Sequence, residues 1–413
     1  MRPYYRKSLA VLFLTALCFT AGCKKPGGDL TGTPTGEVTV SPEVDNPEVQ
    51  TPGEYETYTE APELQALTGI GRLPVVEKRI PAKEEILKET EITVGSYGED
   101  AQFAAEVGDE LIGELISEGL FRYGADGSVV PNLAKSYTVN ADFTKYTIYL
   151  RKGVRWSDGV LFTADDCIFY YDKLCLPEAT GETLDQCFLV YDEKGMPEKA
   201  SLEKLDTYSF TISFPLSNPN FLQQFLKDGG ICFAPEHYYV NLMPEYMGED
   251  AANAKAKDMG YDSVEDMLHS VAVNPWNTPG VPTLNPYCLS EEEELKDTTG
   301  EYYEFVRNPY YWKVDAEGKQ LPYLDRLGFT RISGQSQKML LTTEGFLSVG
   351  ELLIGQRAEA TANADRGGYR LVIWSDDSSF AVKKNLKNFP ETCPFEEKVR
   401  GIGAAHVECW YME

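Results

Sequence analysis

The chain has 413 residues, a net charge of −27, 42% apolar residues and 12% aromatic residues. That length supplies core for two or three domains, and the apolar content excludes a disordered chain. The charge opposes binding to nucleic acid, which needs a basic face, and adhesion to anionic lipid.

The chain opens with the cations Arg2, Arg6 and Lys7 and continues as an uncharged apolar run from Ser8 to Ala21. A membrane span needs about 20 apolar residues, so this run is short for one. A basic start, a short apolar stretch and small residues after it describe a signal peptide over residues 1–22. Thr20-Ala21-Gly22-Cys23 resembles the bacterial lipobox, in which the cysteine thiol takes a diacylglycerol. Cys23 is therefore the expected lipid attachment, and no later stretch is apolar enough to span a bilayer. The Pro-, Gly-, Thr- and Glu-rich residues that follow make 23–60 an anchor with a flexible tether.

Folding signals begin near Pro62. Ile92-Thr93-Val94, ending at Gly95, predicts a strand. Leu111, Ile112, Leu115, Ile116 and Leu120 recur at helical spacing, which predicts a helix within 106–121 that stops near Gly119. Ser136–Val139 and Lys145–Leu150 read as paired strands with Asn140-Ala141-Asp142 in the turn. Thr163 is placed to cap a helix, with Asp166 completing a capping box. Tyr208–Phe214 alternates as a strand, and Asn218-Pro219 reads as the cap and first residue of a helix to Leu226. Strands and helices mix throughout, so the class is α/β.

Nine cysteines and three histidines show no metal-ligand spacing, so no metal or cofactor is expected. With Cys18 and Cys23 set aside, an odd set remains: Cys167, Cys175, Cys187, Cys232, Cys288, Cys393 and Cys409. Cys175 and Cys187 are close enough in sequence to close a loop, a pairing the sequence leaves open. Thiols left over outside the cell point to a reducing habitat. No GxSxG, HExxH or spaced Cys/His pairing is present, so the chain does not read as an enzyme.

The order of three segments carries a family resemblance: Pro131–Tyr137, then Tyr146–Gly159 with Arg151-Lys152-Gly153-Val154-Arg155-Trp156-Ser157-Asp158-Gly159, then Phe162–Asp166. Together they resemble the signature of the family 5 extracellular solute-binding proteins, the oligopeptide-, dipeptide- and nickel-type receptors of ABC importers. Leu73–Pro81 looks like the lead-in of one branch, and Arg307–Asp315 and Gln320–Arg326 look like the stretch before the second lobe. Trp156–Gly159 and Asp165-Asp166 read as scaffold, a plugged turn and a helix cap, rather than as ligand contacts.

The resemblance implies a class II periplasmic-binding-protein-like fold, with two α/β lobes that close by a hinge on a ligand between them. It places a mostly present first lobe at 61–330 and an incomplete, divergent second lobe at 331–413. A truncated reading frame is the simplest account of that ending, and a non-functional fragment is then the rival to a working receptor. In peptide-binding relatives the groups that hold ligand termini lie mainly beyond this stretch. On the first lobe, the resemblance turns two segments toward the cleft, with Ser96, Tyr97, Phe103, Glu106 and Val107 as the candidate contacts. The implied partners are a peptide or oligosaccharide ligand, an ABC permease, and the membrane through the lipid.

Overall fold

The computed structural model describes residues 58–90, 92, 94–106, 116–124, 127–176, 184–273, 275–290, 302–372 and 379–384. Cys23, the tether up to Thr57 and Val107 lie outside the described residues.

The described chain begins as a strap. Thr59 bridges in parallel to Lys319, and the helices α1 (Pro62–Gly69) and α2 (Val76–Arg79) follow. The Arg79 side chain is fully buried, ion-paired to Glu60 and bonded to the Pro309 carbonyl and, at 3.0 Å, the Pro74 carbonyl. Burial lowers its pKa to about 10. A buried charge is tolerated only when paired, so this pair clamps the lead-in segment onto the chain near Pro309.

The strand predicted at 92–94 forms earlier, as β1 (Leu87–Glu89), parallel to β13 (Lys313–Asp315). There Glu89 reaches Lys313 Nζ at 3.3 Å and Arg122 Nη1 at 2.8 Å, contacts that the alternation at 92–94 does not reveal. The predicted helix over 106–121 falls mostly outside the described residues. Its first residue closes strand β2 (Asp100–Glu106), residues 107–115 lie outside the described residues, and Ile116 is its only described helical residue. Residues 117–119 are not helical, and β3 (Phe121–Tyr123) follows, paired with β4 (Val129–Pro131).

β5 (Ala134–Val139) and β6 (Lys145–Leu150) pair antiparallel as expected. Their turn is built on Asn140, whose Oδ1 accepts from the Thr144 and Lys145 amides at 3.0 and 2.8 Å. Tyr146, Ile148 and Leu150 alternate into the core, the period a pleated strand requires. A short hairpin of β7 (Leu189–Tyr191) and β8 (Pro197–Lys199) comes next among the strands. β9 (Ser201–Asp206) and β10 (Ser209–Ser213) then extend the first sheet in the order β5-β6-β10-β9. The predicted capping box is present: Thr163 caps helix α3 (Ala164–Phe169), and Asp166 accepts from the Thr163 amide at 2.9 Å. Asn218, by contrast, is not a cap. Its amide donates to Phe143 O at 2.9 Å and its carbonyl accepts from Tyr146 Oη at 2.6 Å, so helix α4 (Phe221–Lys227) starts later, with Asn220 at its cap position. Phe221 then packs between Tyr146, Phe214 and Phe225, with ring centroids 4.9 to 5.4 Å apart.

A second sheet has the order β11-β12-β14-β2, from β11 (Tyr287–Leu289), β12 (Tyr302–Arg307) and β14 (Arg326–Ile332). Only the β14–β2 pair is parallel. From Ile332 the chain passes through Ser333-Gly334 into helix α5 (Gln335–Thr343). A third sheet, β15-β17-β16, is formed by Val349–Leu353, Ser379–Lys384 and Tyr369–Val372. Helix α6 (Arg357–Gly367) precedes β16 and ends on Gly368, whose φ of 66° is the left-handed cap that glycine adopts without a side-chain clash.

Cys167, Cys175, Cys187, Cys232 and Cys288 are thiols, so the loop closure by Cys175 and Cys187 left open by the sequence is not formed. Among the described residues no helix is long and apolar enough to cross a membrane.

Candidate functional site

The loop nominated by sequence, residues 94–99, lies between Ile92 and β2. Gly95 is pressed against Tyr323: a Cβ there would stand 2.8 Å from the ring. Only glycine permits this approach without displacing the ring. Tyr323 donates to Asp315 Oδ2 at 2.5 Å, and Lys319 Nζ donates to the Gly95 carbonyl at 3.1 Å.

Tyr97 is half-buried. Its hydroxyl donates to the Gln320 carbonyl at 2.9 Å and lies 3.1 Å from that of Thr59. Its ring lies 5.9 Å from Tyr323, and the Arg307 guanidinium sits 5.6 Å from the ring centre. Burial, reinforced by Asp315, pushes its phenol well above the usual range. Tyr97 thus ties the loop to the scaffold. Ser96 is exposed beside it.

The second nominated segment lies differently from the expectation. Phe103 is in mid-strand, 2% exposed, and stacked on Phe329 at 5.1 Å within a core that includes Phe305 and Leu327. It is core rather than cleft, because alternation along β2 turns Ala101, Phe103 and Ala105 to the packed face. The Glu106 backbone pairs with Ile332.

Beneath the loop lies a buried charge cluster that the sequence did not announce. Glu118 is fully buried and accepts from Tyr311 Oη at 2.5 Å and Asn132 Nδ2 at 2.6 Å, with Lys313 Nζ 2.9 Å away. Lys313 also meets Glu89. Burial raises the Glu89 pKa, but Lys313 and Arg122 outweigh it and hold the carboxyl below its usual range. Every ion here has an opposite partner, so the cluster acts as scaffold. Four chain segments contribute to it, which no short motif can signal. Among the described residues, no group of three or more His, Cys, Asp or Glu side chains is arranged to hold a metal ion.

The second sheet meets the following body at β2. The Gln102 amide donates to Ser348 Oγ at 2.9 Å and the Ser348 amide donates to the Gln102 carbonyl at 2.7 Å. Ala104, Ile332 and Leu347 pack beside this clasp.

The mixed sheets and the helices packed with them define a periplasmic-binding-protein-like α/β fold. In fold it is similar to the oligopeptide-binding protein OppA, with a TM-score of 0.66 and 28% identity over 77% of this chain and 49% of that one. It is also similar to the periplasmic binding protein MelB of Agrobacterium fabrum C58, solved in complex with stachyose. That match has a TM-score of 0.57 and 23% identity over 77% of this chain and 47% of that one. The family model of the bacterial extracellular solute-binding proteins, family 5 Middle, matches residues 128–370, and the chain belongs to this family. The periplasmic alpha-galactoside-binding protein of Rhizobium meliloti is 27% identical over 290 residues, 63% of this chain and 37% of that protein. A probable ABC transporter-binding protein of Deinococcus radiodurans is 32% identical over 203 residues, 48% of this chain and 29% of that protein. The chain therefore spans 37% and 29% of the length of these two relatives.

Proposed function

We propose that this protein is the solute-capturing component of an ABC importer, held outside the membrane by a lipid on Cys23 and delivering a peptide or oligosaccharide to a permease. The observation that carries the reading is the family match over residues 128–370. Residues 61–330 form the first lobe and the chain from 331 enters the second. Ser96 and Tyr97 face the ligand before β2, and Glu106 and Val107 are separate candidate contacts at the other end of that strand. A tethered receptor keeps captured solute at high local concentration beside its permease.

The test is titration calorimetry and thermal shift on the chain freed of its first 22 residues. The ligands are neutral oligosaccharides and short peptides. Saturable heat with a rise in Tm supports capture; neither signal with either class refutes it. For the anchor, Cys23→Ser is expected to move the protein from the membrane fraction to the soluble one, and retention in the membrane fraction rules the lipid out.

A further inference from the structure

Residues 234–273 form a helical body with a core of its own. Tyr239, Leu242, Ala252, Ala256, Met267 and Val271 pack there, joined by Phe169 and Leu174 from the helical run after Thr163. The body meets the turn Trp156–Gly159 at its first helix, Glu236–Tyr239. His237 Nε2 lies 2.8 Å from Asp158 Oδ2, with 29% and 39% of the two side chains exposed. The Glu236 amide donates to Asp166 Oδ1 at 3.1 Å, and the Trp156 indole donates to the other oxygen at 3.3 Å. The Trp156 ring stands 6.3 Å from the imidazole and packs edgewise on Phe162 and Phe233. The turn is held independently of the helix. The Ser157 amide donates to Thr283 O at 2.9 Å, and the Thr283 amide donates to Ser157 Oγ at 3.0 Å. A Cβ on Gly159 would stand 3.0 Å from the Tyr310 ring.

We propose that His237 and Asp158 form a proton-operated latch, which fastens the helical body to the Trp156 turn in acid and slackens it above neutral pH. The latch is independent of what the protein captures. An imidazole is the side chain that changes charge between pH 5 and 8. Protonated, it donates to the carboxylate as an ion pair; neutral, it keeps only an uncharged donor at the same place. Asp158 is the fixed anion. Burial pushes its pKa up, but the bonds from His237 and the Val160 amide outweigh burial and hold it below the ordinary carboxylate value. The neighbouring charges are otherwise engaged or of the wrong sign. Lys204 is paired to Asp165 at 2.6 Å, Arg155 donates to the Gly159 carbonyl at 2.8 Å, and Glu236 is an acid beside His237. Burial raises the Asp166 pKa to about 6, against the bonds it accepts and the nearby His237 charge. Rising pH therefore removes a cation and adds a buried anion at one contact.

Hydrogen exchange by mass spectrometry on the full mature chain tests this. It is read on peptides covering 236–243 at pH 5 and pH 8, with intrinsic rates divided out and the β5–β6 hairpin as the control. His237→Gln keeps a side-chain donor and removes the charge. It is expected to exchange about fivefold faster than wild type at pH 5 and at the wild-type rate at pH 8, because a charge-assisted bond is roughly twice as strong as a neutral one. Asp158→Asn removes the anion instead and is expected to give the same pattern. Asp166 ionises in all three proteins, so its effect cancels in the ratio of variant to wild type. The Tm of each variant guards against misfolding, and Asp158→Asn carries the test where His237→Gln fails to fold. Wild-type exchange at both pH values overturns the latch. So does exchange faster by one factor at both, which would leave His237 a packing role alone.

Discussion

Asp166 accepts from the Thr163 amide at 2.9 Å, the Glu236 amide at 3.1 Å and the Trp156 indole at 3.3 Å. Burial nevertheless dominates and raises its pKa to about 6 from the ordinary value of 3.8. The raised value favours the protonated form in the folded state. This group's stability contribution is complete below pH 3.8 and is lost as pH rises through 6. The loss amounts to roughly 3 kcal/mol. Asp166→Asn keeps an oxygen for the Thr163 amide but cannot ionise. Urea unfolding from pH 3 to 8 is expected to show the gap between variant and wild type changing across pH 4–6 and flat outside it. Parallel curves would remove Asp166 as the cause. The sequence identified Asp166 as a capping residue from its spacing to Thr163; its burial under Trp156 and the helix that begins at Glu236 is tertiary.

At the scale of elements, local chemistry was legible and long-range use of the same residues was not. The β5–β6 hairpin and the Thr163 cap are written in contiguous residues, and both formed. Asn218-Pro219 has the composition of a helix start, yet its backbone is taken by Phe143 and Tyr146, so the helix begins later. The thiols show the same division. Cys167 and Cys175 on one continuous helical run, Cys187 and Cys232 pack into one core. Burial is the first cause that pushes the Cys167, Cys187 and Cys232 thiols up, where they are poor nucleophiles. With Cys18, Cys23, Cys393 and Cys409 replaced by serine, a thiol reagent is expected to label half-buried Cys288 first. The other four should follow only at the rate of unfolding. Rapid labelling of all five in native buffer would contradict the packing.

Across the whole molecule, the four-stranded sheet and the body after it meet through Ser333-Gly334 and the reciprocal Gln102–Ser348 bonds. Ser348→Ala removes the acceptor for the Gln102 amide and leaves the Ala104, Ile332 and Leu347 packing in place. Hydrogen exchange at Gln102 is expected to quicken by about fivefold, with Tm nearly unchanged, since one net hydrogen bond is worth about 1 kcal/mol. Unchanged exchange would mean that the clasp does not hold the two bodies together. The candidate loop was legible in part. Ser96 and Tyr97 were chosen as residues facing a cleft, and the packing of Tyr97 on Tyr323 and Arg307 depends on partners more than 200 positions away.

The sequence by itself determined the α/β class, the family through its ordered segments from Pro131 to Asp166, the hairpin and the capping box. The hairpin and the capping box depend on residues within one or two turns of chain, where spacing dictates geometry, and the family came from the resemblance of those ordered segments. Only the tertiary structure decided that Phe103 is core and that Glu118 and Lys313 neutralise each other in the interior. Those outcomes follow from strand register, and pairing between distant strands is set by burial of whole faces rather than by any local pattern.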